Sequence, residues 1–493
     1  MFNPVRSIAF DCLAAVDERK FFKEEKEMKK FLALFLALIM ALSLVACGDK
    51  GGDKVNDKGV VEGSNVSASG QTDKDVYVDM WGIYADDNYR TEWLLKKADE
   101  FEAAYEAETG ISVEIEYYSQ NDYGGCATKL AAGVSGGALP VLCQISSQQC
   151  PAFEPLCDDV KKYMSAEGVD AYLDGLLVGC QKGDKLFAVP GGRSTSCYIV
   201  NMDLVEQAGY TKADVETWDW DKFHEIMLAI SKLGDGIEGC GLWWDTDAWM
   251  WESALYANGG SVDNEDATDI LFDEDGNGAQ FLDLAAEMMD DGSMYSIYDN
   301  YAPGEIGNAL NTKFVEGTLG CRMASITNYG GIKKLAAEAG KDMNIYMAIQ
   351  PAGDGGFSVV TGGNNFLFLK QSTETQKKVA AAYLEYIAQP ENDLEWNGLS
   401  SYMAVNENTY ETDAFKKMLE EDPNYAQIGV IANNAHARPN SLNWAEMRKY
   451  MMDGLVAWSQ DYASYKAANG GTTQAVVEMW ADHCQKILDE NAQ

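Results

Sequence analysis

The chain is 493 residues long, 46% apolar and 11% aromatic, with a formal charge of −40. That length suffices for two or three domains with sizeable cores, and the composition excludes a disordered protein. A polyanion of this strength repels phosphate backbones and acidic lipid headgroups, which excludes nucleic acid as a partner; the acidity reads as solubility outside the cytoplasm rather than as a cation site.

Residues 1–27 are mixed and charged, and they precede a complete export signal, so they read as an extension ahead of a true start at Met28. Lys29 and Lys30 open the signal, 31–45 is apolar apart from Ser43, and small Ala46 precedes Cys47. A positive start, a short apolar core and a small residue before the cut form a secretory layout. The core is shorter than the about 20 apolar residues of a membrane span. Leu44-Val45-Ala46-Cys47 resembles a bacterial lipobox. The resemblance implies removal of residues 28–46, lipid on Cys47 and an anchor on the extracytoplasmic face of the cell membrane. Residues 47–75, rich in Gly, Ser, Asp and Lys without an aromatic, read as a flexible tether.

The folded part opens with an alternating strand at 76–82. A helix is expected over about 91–108, from Trp93, Leu94, Ala98, Phe101 and Tyr105 at helical spacing, with Gly110 ending it. A strand at 111–118, a helix at about 123–133 and a strand at 140–145 complete a β-α-β-α-β opening. That order implies a parallel sheet with helices on its faces, and ligands off the carboxyl ends of the strands. Trp81, Tyr84 and Gln144 lie at those ends. Further on, two strand-like runs flank a Gly191-Gly192 turn, and Asp219 or Asp221 caps a helix.

Val189-Pro190, the run 199–205, Ala208-Gly209 and the run 217–223 follow one another as in extracellular solute-binding proteins of ABC importers. The resemblance is to the branch of the maltose-binding and glycerol-3-phosphate-binding proteins. It continues through Gly259-Gly260, 314–323, Gly362-Gly363, 380–396, Tyr402 and Arg438-Pro439, and spans about residues 76–490. It implies an α/β, two-lobed periplasmic-binding-protein-like fold, with crossover hinge segments and a cleft between the lobes. Lobe one is expected at 76–192 and 325–387, lobe two at 193–324 and 388–490.

Sugar faces stack on aromatic rings while polar groups bind the hydroxyls. The run 242–252 holds four Trp, of which Trp249 and Trp251 open a helix. The resemblance favours Trp244 and Trp249 as ligand contacts, although core packing suits any one of these rings equally. It adds Tyr402, Trp81 or Tyr84, Ser194, Thr195, Ser325 and the backbone of Gly362 and Gly363. Arg193 reads either as a partner for an anion or as a surface residue on the Gly-Gly turn. Arg438 or Arg448 stands near the phosphate-binding Arg of the glycerol-phosphate branch, or forms a salt bridge. Gln144 departs from that branch, which has a Glu there.

Cys12 lies in the extension and Cys47 takes lipid; the nine other cysteines are scattered without a CxxC pair and read mainly as small buried hydrophobes, with one or two bridges left open. The three His are far apart, which argues against zinc. Asp273 to Gly278 resembles half a calcium loop, but its twelfth position is Leu284, so it reads as a turn before a helix. No catalytic or cofactor motif occurs. The expectation is a monomeric, lipid-anchored receptor that passes a carbohydrate, foremost an oligosaccharide, to ABC permease subunits. Glycerol 3-phosphate or its diester is the alternative ligand, and a secreted glycosidase the alternative class.

Overall fold

The computed structural model describes residues 74–491 except 137–138, 178, 245–247, 265–266, 437 and 439–442. The signal, Cys47 and the tether lie outside the described residues. The chain divides into two compact units, residues 1–71 with 122–139 and residues 72–121 with 140–493. The described part of the first unit contains one helix, Tyr123–Gly136, begun where Asp122 Oδ1 accepts the Gly125 N–H at 2.7 Å. Everything below, Cys126 apart, concerns the second unit.

Strand β1 (Val76–Gly82) pairs in parallel with β2 (Val113–Ser119) and β3 (Leu142–Ser146). Between β1 and β2 runs α1 (Tyr89–Thr109), capped by Asn88 Oδ1 on the Arg90 N–H at 2.9 Å and ended by Gly110 at φ 73°. Next come β4 (Ala188–Asn201), α2 (Trp220–Ser231), β5 (Glu238–Gly241) and α3 (Trp249–Ala257). Asp219 is the cap of α2, accepting the Lys222 N–H at 2.8 Å. Then follow α4 (Asn277–Asp290), β6 (Met294–Tyr295), α5 (Pro303–Glu316), β7 (Leu319–Ser325) and α6 (Asn328–Glu338). The chain continues with β8 (Ile345–Ala348), β9 (Val359–Phe368), α7 (Glu374–Ile387), α8 (Pro390–Ser400) and β10 (Ala435–His436). It closes with α9 (Trp444–Gln460) and α10 (Thr473–Asn491).

Among the described residues, ten strands share one sheet in the order β2-β1-β3-β9-β4-β7-β5-β6, with β8 on β4 and β10 on β9. The two long strands in the middle, β4 and β9, are antiparallel to each other and to their outer neighbours β7 and β3. No described helix is long and apolar enough to cross a membrane.

One expectation changes. Gly191 and Gly192 make no turn; β4 continues through them for 14 residues, with a shift of register against β9 that leaves Gly191 without a partner between Pro190 and Gly192. Their bareness serves packing: a Cβ on Gly191 would lie 2.6 Å from Asn364 Oδ1, and one on Gly192 would lie 3.0 Å from the Tyr402 ring. Residue 345 lies opposite Asn201 of β4. The partners change along β9, where Thr361 faces Thr195 and Phe368 faces Leu142 of β3. Past residue 388, α8 stays with α1 through a Lys97–Glu395 ion pair of 2.8 Å.

Candidate ligand-binding site

Several candidate residues converge on the seam formed by β4 and β9. Asn364 of β9 donates to Tyr84 Oη at 3.1 Å and accepts from Gln144 Nε2 at 3.3 Å. Gln144 Oε1 in turn accepts the Ile83 N–H at 3.3 Å, so this fully buried amide is used at both ends. Such an amide in the middle of a sheet needs every bond, because a buried polar group without partners costs about 1–3 kcal/mol. Trp81 is buried in β1, opposite Tyr118 and Cys143.

Tyr402 packs beside Gly192 and stacks on Trp396, centroids 6.0 Å apart with planes 16° off parallel. Its approach turns on Ser401, held in the left-handed region at φ 56°. The Arg90 guanidinium carbon lies 5.6 Å from the Tyr84 ring centre, 4.7 Å from Tyr89 and 5.5 Å from Tyr402, and Nη2 donates to the Ser400 carbonyl at 3.3 Å. Each such cation–ring contact contributes about 0.5–1 kcal/mol. Behind these rings is a cavity of about 20 Å³ lined by Trp93, Trp396, Gln144, Gly191 and Asp393, the room of roughly one water. Burial pushes the Asp393 carboxyl up to about 6, against bonds from Thr409, Val405 and Asn406 that favour its charge.

On the other side of the seam, Trp249 at the start of α3 lays its ring against Gly362 and donates Nε1–H to the Val360 carbonyl at 2.9 Å. Ala248 before it sits at φ 64°, a strained setting for a residue with a Cβ. Ser194 and Thr195 face Gly362 and Thr361 across the ladder, and Ser196 faces Ser325. Ser325 Oγ lies 2.9 Å from Thr327 Oγ1. The buried Thr195 hydroxyl has no hydrogen-bond partner among the described residues. Gly363 at φ 100° leaves no room for a side chain, since its Cβ would be 2.0 Å from the Gly192 carbonyl oxygen.

Other candidates lie elsewhere or are engaged. Trp244 is a core residue, fully buried, with Nε1–H donating to Ser459 Oγ at 2.6 Å and edge contacts to Phe281 and Trp458. Arg193 is not on a surface turn; it is buried within β4 and Nη2 donates to the Leu176 carbonyl at 2.8 Å. Arg438 forms a two-pronged buried ion pair with Glu252, Nε to Oε2 at 2.5 Å and Nη2 to Oε1. Arg448 on α9 is half-buried and donates to Gln148 Oε1, just past β3, at 3.1 Å. All nine described cysteines are buried thiols, and among the described residues no group of three or more potential ligands could hold a metal.

The pattern of bacterial extracellular solute-binding proteins matches residues 100–427. The chain belongs to that family. Solved structures extend the likeness over nearly their whole length. The cyclic alpha-maltosyl-1,6-maltose binding protein of Arthrobacter globiformis is 19% identical, covering 84% of this chain and 99% of that one, with a TM-score of 0.65. UgpB of Mycobacterium tuberculosis, solved with glycerophosphocholine, is 18% identical over the same shares at a TM-score of 0.67. Lmo0181 of Listeria monocytogenes, solved with cycloalternan, is 15% identical, covering 83% of this chain and 98% of that one, at 0.64. These likenesses establish the fold, that of the two-lobed periplasmic binding proteins. No curated protein matches the chain.

For a solute-binding protein of this fold, the sequence reading left out Asn364, Arg90 and Trp396 as site neighbours. A signal existed for two of them. Arg90 puts a positive charge at the positive end of α1, against the helix dipole. Asn364 is an amide within a strand, where Asn is depleted.

Proposed function

We propose that this solute-binding protein is the lipid-anchored receptor of an ABC importer and that it captures an oligosaccharide. The observation that carries the reading is the seam itself. Three aromatic rings, Tyr84, Tyr402 and Trp249, lie there with the neutral polar groups of Gln144, Asn364, Ser194 and Ser325. Rings with neutral amides and hydroxyls suit a sugar's apolar faces and its hydroxyls. Arg438 and Arg193 are engaged with Glu252 and the Leu176 carbonyl, which favours a neutral ligand over a phosphate. Two of the structures cited above carry maltosyl or cycloalternan ligands in their names, and the third carries glycerophosphocholine, the reason a glycerophosphodiester stands second.

The lobes divide along β4 and β9, with β1 to β3 in one and β5 to β8 in the other. Closing them over a ligand would be driven by contacts made only in the closed state. Trp81, Gly362 and Gly363 belong to the seam's frame in this reading, and Arg448 to its rim.

Calorimetry with cyclic and linear maltooligosaccharides and with glycerophosphocholine tests the ligand. Saturable heat with a glycan is expected; heat with glycerophosphocholine alone sinks the sugar reading, and glycan turnover would move the protein to the glycosidases. Mass spectrometry of the exported protein should find an N-terminal peptide starting at acylated Cys47. Peptides from residues 1–27 on that protein would overturn the anchor.

A further inference from the structure

Trp93 of α1 and Trp396 of α8 pack together with ring centres 4.8 Å apart, and Trp396 in turn meets the rings of Tyr84 and Tyr402. Trp93 is 6% exposed and Trp396 4%. Each indole carries one N–H, and neither Nε1 has a hydrogen-bond partner among the described residues. Buried donors are as a rule paired, with protein or with ordered water. Both tryptophans line the cavity of about 20 Å³, together with Asp393 and Gln144.

That lining also has acceptors to spare. An ionised carboxylate offers about four lone-pair positions. Asp393 Oδ1 accepts the Val405 N–H at 3.0 Å, and Oδ2 accepts the Asn406 N–H at 3.0 Å and the Thr409 hydroxyl at 2.6 Å, which leaves one position on Oδ1. Gln144 Oε1 accepts the Ile83 N–H at 3.3 Å and keeps its second lone pair. Two donors and two acceptor positions around the room of one water match the hydrogen bonding of a water molecule. A dry cavity is lined by apolar groups, and indole N–H groups offer a cation nothing to bind.

We propose that this cavity is a binding site for a single water molecule, which accepts from the Trp93 and Trp396 indoles and donates to the Asp393 carboxylate and Gln144 Oε1. The water ties α1, α8 and β3 together behind the rings of the seam. Through Trp396 it backs Tyr402, and through Gln144 it reaches Asn364 and Tyr84. Such a backing fixes the rings before a ligand arrives, which lowers the cost of ordering them on binding. The site stands whether or not that ligand is a glycan.

The test is a crystal structure of the unaltered chain at a resolution that shows ordered water, joined to rotating-frame NMR of the chain carrying 15N-tryptophan. The expected density is one water about 2.7–3.2 Å from the Asp393 carboxylate and from at least one of the two indole nitrogens. The expected spectrum has indole N–H cross-peaks to water of opposite sign to the diagonal, the sign of a lasting contact rather than of proton exchange. Trp93→Phe and Trp396→Phe each delete one signal and so assign it. An ion in the cavity, no density there, or no such cross-peak from either indole overturns the proposal. If the variants do not fold, the density in the unaltered chain decides, and its absence overturns the site.

Discussion

Trp244 and Trp249 are five residues apart and serve opposite regions of the molecule. Trp244 belongs to a helix-bound aromatic core with Phe281 of α4 and Trp458 of α9, where Trp251 also meets Trp480 of α10. Trp249 belongs to the seam of β4 and β9, where the neighbours are glycines, amides and hydroxyls. In the core, rings pack on rings in edge-on geometry, and Trp244 and Trp251 hide their single N–H on Ser459 Oγ and the Gly278 carbonyl. In the seam, the bareness of Gly362 and Gly192 leaves room for the Trp249 and Tyr402 rings beside the backbone. Aromatic density therefore marks the core, and paired glycines opposite a ring mark the candidate site.

The largest expected effect tests the joint between the two regions. Glu252→Gln leaves the Arg438 charge buried without its carboxylate, and urea unfolding should show a loss of about 3–5 kcal/mol. A loss under about 1 kcal/mol would mean that the pair is solvated and the joint is weak. Next comes the seam itself. Gly363→Ala forces a Cβ into the Gly192 carbonyl from a left-handed backbone, for about 3 kcal/mol. Gly192→Ala meets only side chains that can shift and should cost about 1 kcal/mol. Equal costs would contradict the close backbone approach.

The two tryptophans give the sharper contrast. Trp244→Phe removes the N–H that Ser459 Oγ accepts, although that hydroxyl still donates to the Leu455 carbonyl, and leaves space in a packed core; it should cost about 2 kcal/mol of stability while leaving glycan affinity unchanged. Trp249→Phe should instead weaken that affinity about tenfold, a loss of about 1.4 kcal/mol. Titration calorimetry of both variants separates the regions, and equal affinity losses would erase the distinction. The smallest stability effect is expected at Arg90→Leu, about 1 kcal/mol from lost ring contacts. Its glycan affinity should still fall, because Tyr84 and Tyr402 lose the group between them; unchanged binding would remove both rings from the site.

Much of this was legible in the residues because it is local. The strand at 76–82, a second strand expected at 111–118 and found at 113–119, the helix between them and a cap at Asp219 or Asp221 follow from alternation, helical spacing and a short polar side chain at a helix start; the structure chose Asp219. The order of motifs from Val189 to Tyr402 pointed to the family that the chain belongs to. What misled was equally specific. Pro190-Gly191-Gly192 has the composition of a turn, yet it continues a strand because Asn364, Phe366 and Tyr402 occupy the space of the missing side chains. Arg193 beside it looked exposed only because that turn was expected.

By itself, the sequence determined the fold class, the family and the polarity of each element, since these rest on periodicity and on motifs in a fixed order. The tertiary structure alone decided which candidates stand together. Trp244 is claimed by Ser459, 215 residues away, and Arg438 by Glu252, 186 residues away. Asn364 reaches Tyr84 across 280 residues. Such partners are chosen by sheet order and helix packing, and no spacing along the chain encodes them. The sheet order also set the change of partners along β9, because hydrogen-bonded neighbours are a property of the assembled sheet.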